Sequence, residues 1–405
     1  MFELATASFI EAGLAGSAVF AVLLSIFLFF GFFNFLFAWN FRKSPPLNPK
    51  LNPGSVVIIV PVRDDRSIFN SLDSLRALDY PDYRILIVDD SADPRMRREL
   101  DEHREPLIEI LHRASPIGRK AGALNFAIDH LASAPPEYVV ILDADHRPPA
   151  DFLLRAVTLI EQNDAHCVSG YQKHDIGAYG WFGRFYRASG AAAIRSLKGQ
   201  YDLGFGAYFA GAPTIFQYDW LRHMRFDETS ITEDWELTLR AYAEGDFRVV
   251  VREDLWVSAA VPRNLGWLIR QQMRWIGGMT RDFRRHFGRL VRSDLTMAAK
   301  VGLFYHGLVG LQPAAFLLLW LVLPILYPVQ LPPIPTLILL VFLGLSWGWP
   351  MSQGAKGEGY RLRQMAAVLL YGFLISYVLA PFGAFAFFSG LVRTPRHWKV
   401  TQRRG

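Results

Sequence analysis

The chain has 405 residues, with 43 lysines and arginines against 37 acidic residues for a formal net charge of +6, and it is 51% hydrophobic and 14% aromatic. That length holds one large domain plus additional apolar segments, and the single Cys167 excludes an intrachain disulfide and a cysteine-based zinc site. The arginines gather beside apolar segments, which points to an anionic lipid surface as partner and away from nucleic acid.

Residues 12–38 carry no charge and are long enough to cross a hydrocarbon core of ~30 Å. Glu3 and Glu11 lie before this belt and Arg42, Lys43 and Lys50 after it, so the positive-inside bias puts the N-terminus outside and the next region in the cytosol. A secretory leader would start basic and have a shorter core. The division expected is a transmembrane helix over 1–40, a cytosolic domain over 50–260, interfacial amphipathic helices over 261–300, transmembrane segments over 301–392 and a basic cytosolic tail over 393–405.

In the central region, residues 55–61, 84–88 and 138–142 are short β-branched runs that predict buried parallel strands. Helical stretches at 94–104 and 119–132 separate them. This alternation predicts a doubly wound α/β sheet, which binds ligands beyond the carboxyl ends of its strands. Acidic residues stand at each such end: Asp64 and Asp65, then Asp89 and Asp90, then Asp143 and Asp145. Carboxylates there can hold a divalent cation that keeps open positions for phosphate oxygens. Solvated caps and self-bonded turns use the same residues.

Further along, Ser230 and Glu233 have the spacing of a capping box at the start of a helix that would aim Asp234. A carboxyl in an anionic setting gains proton affinity, which suits a general base. Residues 264–292 are amphipathic and dense in arginine, the pattern of a helix lying in a lipid interface. On that account Arg274 is a snorkelling cation and Trp275 a belt residue. Three apolar stretches follow at about 303–328, 334–350 and 364–392. A cytosolic tail requires an even number of crossings after the central domain, which three full crossings do not give.

The segments VVIIVPVRDD, IVDDSADP, GRKAGALN, ILDADH, ITEDWE and QQMRW occur in this order, and with the apolar flanks they resemble the membrane-embedded, processive glycosyltransferases of family 2. That group contains cellulose, hyaluronan and glucomannan synthases and several glycolipid synthases. The resemblance covers about residues 55–290. It implies a GT-A-type doubly wound mixed sheet flanked by transmembrane helices. It also implies a nucleotide-sugar site of Asp65, Asp89, Asp90, Lys120, Asn125, Asp143, Gln271 and Arg274, and a Mg2+ or Mn2+ ion on Asp145 and Asp143. Asp234 would be the catalytic base, with Gly211, Glu233 and Trp275 on the acceptor side. Ala212 departs from the family's usual serine or threonine. WKVTQR, in residues 398–403, resembles the gating loop of cellulose synthases, and a lipid-binding basic terminus is the alternative.

The activity implied is inverting transfer from a nucleotide sugar, uridine-based by family frequency, forming a β-glycosidic bond in a polysaccharide. A glycolipid synthase adding one sugar to diacylglycerol, ceramide or polyprenyl phosphate is the alternative, and a non-enzymatic sugar-nucleotide sensor is a distant one. The expected partners are the donor, a lipid or growing glycan acceptor and the membrane, and the expected location is a bacterial inner (plasma) membrane with the catalytic domain in the cytosol. A translocation partner is left open.

Overall fold

The computed structural model describes residues 2–49, 54–177, 180–319, 341–342 and 344–392. A seven-stranded mixed sheet runs in the order β3-β2-β1-β4-β6-β5-β7. The strands are β1 (Val56–Val62), β2 (Tyr83–Asp89), β3 (Ile108–His112), β4 (Tyr138–Ile141), β5 (Cys167–His174), β6 (Thr214–Gln217) and β7 (Val249–Ala259). β1 lies parallel to β2 and β4, and β2 parallel to β3; β6 is antiparallel to β4 and β5, and β5 is parallel to β7.

The continuous apolar runs follow from burial on both faces. Ile58, Val60, Ile85, Ile87 and Val140 face one core with Leu72, Leu100 and Leu153 from flanking helices. Their neighbours Val57, Ile59, Leu86, Val88 and Val139 face the other with Leu124, Ile128, Trp235 and Leu239. Successive residues on a strand point to opposite faces, so a strand covered on both sides must be apolar at every position. Trp235, 1% exposed, anchors the second layer, with its ring edge-on to Tyr208 and Nε1 donating to the Met279 carbonyl at 3.1 Å. Trp235→Ala is expected to lower stability by about 3–5 kcal/mol, read as a shifted unfolding midpoint of the purified chain.

The predicted helices are present as Pro94–Asp101 and Arg119–His130. The capping box is not formed. The helix carrying Asp234 spans Glu233–Glu244 with Thr232 at its N-cap and no side-chain cap bond. Ser230 Oγ instead donates to Asp282 and accepts from the Thr232 amide, because a buried carboxylate on a neighbouring helix competes for the hydroxyl. The region predicted as interfacial helices contains one 28-residue helix, Leu265–Arg292, followed by Met297–Gly307.

Among the described residues, two helices are long and apolar enough to cross a membrane, Val19–Asn40 and Leu362–Val392. On the second, Leu370, Leu374, Val378, Phe385, Phe388 and Val392 are exposed at helical spacing, so one apolar face is open to the surroundings. The connection from the first helix to the sheet is pinned where Glu253 accepts the Ser44 amide and hydroxyl at 2.7 and 2.6 Å. Much of the first two C-terminal stretches, and the tail compared with a gating loop, lie outside the described residues.

Candidate active site

The parallel strands end on one cleft of about 180 Å³. Of the residues singled out from sequence, Asp65, Asp90, Lys120, Asp143, Gly211, Ser230, Glu233, Asp234, Arg274 and Trp275 line it, together with Arg63, Arg119, Gln172 and Thr232. Asp89, Asn125, Asp145 and Gln271 do not. Each of these four is bonded into a supporting layer.

Asp89 is fully buried, its Oδ2 2.7 Å from His112 Nδ1 and its Oδ1 accepting the Ser91 amide at 2.9 Å. Its neighbour Asp90 turns to the cleft. Arg113 donates to Asp90 Oδ2 at 2.9 Å, and Oδ1 is buried with no hydrogen-bond partner among the described residues. Burial, opposed by Arg113, pushes the Asp90 carboxyl up to about 6. Asn125 holds the backbone of Phe226 through both amide atoms, at 2.9 and 3.0 Å. Gln271, 3% exposed, accepts the Tyr186 hydroxyl at 2.8 Å, so the glutamine orients the helix that presents Arg274.

Lys120, at the start of Arg119–His130, spans the two halves of the cleft. Its ammonium donates to Asp143 Oδ1 at 2.7 Å and lies 3.7 Å from Glu233 Oε1. Burial opposes its charge, but Asp143 and Glu233 outweigh it and hold the ammonium above its ordinary value. Beside it Arg119 has a positive φ of 55°, a strained turn of the kind that accumulates at functional sites. Arg274 Nε is buried with no partner among the described residues, and Trp275 is 38% exposed at the rim.

Asp234 Oδ1 accepts the Trp235 amide at 2.8 Å. Burial, then the neighbouring Glu233, pushes its carboxyl up to about 7, against Lys120 and that backbone bond. Gly211 faces it with φ +76°, and a Cβ there would come 3.0 Å from Asp234 Oδ2. The missing side chain therefore leaves room beside the carboxylate, at a backbone angle that favours glycine.

Asp143, Asp145 and His146 have ligand atoms that all lie within 4.8 Å of one another. Asp145 is 1% exposed and its Oδ2 accepts the Ala260 amide at 2.7 Å. His146 Nδ1 accepts the Asp143 amide at 3.2 Å, which assigns the proton of the neutral ring to Nε2; burial pushes this imidazole down to about 4. The oxygens of Asp143 and Asp145 are therefore the donors that fit a hard divalent ion. Sequence reasoning passed over Arg119, Gln172 and His146. Arg119 and His146 are within quoted motifs but have no spacing rule of their own, and Gln172 lies on β5, whose mixed polar run gave no strand signal.

Residues 138–389 match the sequence model of the glycosyl transferase family group 2. The chain is 26% identical to glucomannan 4-beta-mannosyltransferase 1 of Oryza sativa subsp. japonica over 65% of this chain and 53% of the relative. It is 25% identical to glucomannan 4-beta-mannosyltransferase 7 of Arabidopsis thaliana over 59% of this chain and 45% of the relative. The chain thus spans about half the length of these curated relatives. Among solved structures it is similar in fold to the mannosyltransferase PcManGT from Pyrobaculum calidifontis in complex with GDP-Man and Mn2+. There the TM-score is 0.61 at 19% identity, with 92% of this chain and 99% of that one covered.

Proposed function

From the premise that the chain belongs to glycosyl transferase family group 2 and is a glycosyltransferase, we propose that it inverts the anomeric centre of a nucleoside diphosphate sugar and forms a β-glycosidic bond at a membrane surface. The observation that carries this reading is the Lys120 bridge, which joins Asp143 on the diphosphate side to the Glu233–Asp234 pair on the acceptor side within one cleft.

Asp90, whose Oδ1 has no hydrogen-bond partner among the described residues, accepts a hydrogen bond from the base, and Asp65 closes that end of the cleft. Arg119, Lys120 and Arg274 surround the diphosphate, so charge developing on the leaving group meets cations already in place. Asp143 and Asp145 would hold Mg2+ or Mn2+. When bound, that ion supplies further positive charge to the leaving diphosphate. Asp234 takes the proton of the acceptor hydroxyl, whose oxygen attacks the anomeric carbon opposite the leaving group. Gly211 leaves space for the acceptor, Glu233 raises the proton affinity of Asp234, and Trp275 stacks on an acceptor sugar at the rim. An α-linked donor gives a β-linked product.

The relatives' names favour mannosyl transfer into a polysaccharide, and PcManGT, similar in fold, is in complex with GDP-Man; on these two observations the preferred donor moves from a uridine to a guanosine diphosphate sugar. Transfer of one sugar to a lipid is the second reading. It is favoured by Trp275, exposed at the rim on a helix that packs against Leu362–Val392. Membranes containing the full chain are tested with radiolabelled GDP-mannose, UDP-glucose and UDP-N-acetylglucosamine, and lipid and polymer products are separated. Label from GDP-mannose in a polymer cleaved by β-mannanase is the expected result. An α-linked product, or donor binding with no transfer from any of the three, would overturn the proposal.

A further inference from the structure

The helix Leu265–Arg292 contains one acidic residue, Asp282, and it is fully buried. Its Oδ2 accepts the hydroxyls of Ser230 at 2.5 Å and Thr232 at 2.9 Å. Ser230 Oγ accepts the Thr232 amide at 3.0 Å. The neighbouring arginines add to this grip: Arg281 donates to the Thr229 carbonyl at 2.7 Å and Arg285 to Asp227 at 2.7 Å. Thr232 directly precedes Glu233 and Asp234, and the helix they begin has no side-chain cap. Its start is therefore set from outside, by Asp282.

Earlier on the same helix, Arg274 and Trp275 line the cleft. Its Gly277 meets Leu362–Val392, where a Cβ at Gly390 would come 2.5 Å from the Gly277 carbonyl oxygen. One rigid element thus contacts the segment before the carboxylate pair, the rim of the cleft and the candidate membrane helix. A buried carboxylate is expensive unless its oxygens are bonded, and an apolar residue of similar size often serves stability as well. Its use at this point is explained by position.

We propose that Asp282 is a positioning residue for the transfer reaction: through Ser230 and Thr232 it holds Glu233 and Asp234 in register with Arg274 and Trp275. The inference rests on Asp234 acting as the base. Misplacement of a reacting group by about 1 Å can reduce rate by about a hundredfold, so the loss should fall on kcat while donor binding remains.

The test uses the full chain in membranes, with the donor turned over fastest among GDP-mannose, UDP-glucose and UDP-N-acetylglucosamine. Asp282→Leu is expected to lower kcat by about tenfold or more with the donor KM within about twofold. Asp282→Asn keeps an oxygen that accepts both hydroxyls and should stay within about threefold of the parent. The double variant Ser230→Ala, Thr232→Val should reproduce the Asp282→Leu loss, and combining the three changes should add nothing further, as for partners in one network. If Asp282→Leu fails to accumulate, the double variant takes its place in the comparison. A kcat within about twofold of the parent for the replacement that accumulates, or an Asp282→Asn enzyme as impaired as that replacement, overturns the inference. Loss of nucleotide binding in parallel with kcat does so too. Asp234→Asn in the same membranes separates the two readings, since full activity there defeats the base assignment and leaves the Asp282 comparison to its own kcat and KM.

Discussion

Asp234→Asn should reduce transfer by about 10²- to 10⁴-fold, the usual contribution of a positioned general base, with the nucleotide still bound. The substitution keeps the size of the side chain and the acceptor for the Trp235 amide, so the loss reports proton transfer. In the parent, kcat/KM should rise with pH and level off above about 7, where burial and Glu233 place the Asp234 carboxyl. The Asn variant should lack that limb in its residual rate. Stability should move the other way. A carboxyl raised from 3.8 to about 7 by folding favours the folded state below its unfolded value, and this contribution is lost as pH rises through the folded one. The Asn variant carries no charge to bury, and its unfolding midpoint at pH 8 should equal or exceed the parent's. An Asp234→Asn enzyme with full transfer activity would defeat the assignment.

Asp145→Ala is expected to lower kcat/KM by about a hundredfold or more, since several kcal/mol of charge stabilisation depend on the ion and each 1.4 kcal/mol is tenfold. Chelation should silence the parent enzyme, and added Mn2+ should restore it. The variant should need far more Mn2+ for a partial return, and direct Mn2+ titration by electron paramagnetic resonance should show weaker binding without any turnover. His146→Ala should change that titration much less, because its Nδ1 is engaged by the Asp143 amide. Undiminished turnover in the chelator removes the ion from the reaction and with it the role of Asp145.

Three strands of the parallel half, β1, β2 and β4, were legible in the chain because they are buried on both faces, which forces unbroken β-branched runs; β3, at the sheet edge and half-buried along one side, was not. β7 was not, since Arg252, Glu253 and Asp254 interrupt it. Those charges fit a sheet-edge strand, where they bond one another and residues from distant segments: Arg252 and Arg155 pair with Asp254 at 2.8 Å, and Glu253 takes Ser44. β6 is only four residues long and owes its place to β4 and β5, both of which come well before it in the chain.

Motif order and strand-end carboxylates pointed to the family and to the cleft, because both are properties of short contiguous segments. They did not separate the residues that face the cleft from those that support it. Asp89 and Asp90 are adjacent and chemically identical, yet the last residue of a strand points to the opposite side from the next. Asp89 is consumed by His112 and only Asp90 turns outward. Gln271 and Arg274 divide in the same way on one helix, and the Ser230 hydroxyl goes to Asp282, 52 residues away, in place of the local cap that its spacing suggested. Local pattern carries hydrophobic period and side-chain chemistry. Which oxygen remains available to a ligand depends on hydrogen-bond partners brought from elsewhere in the chain, and those exist only once the layers have packed.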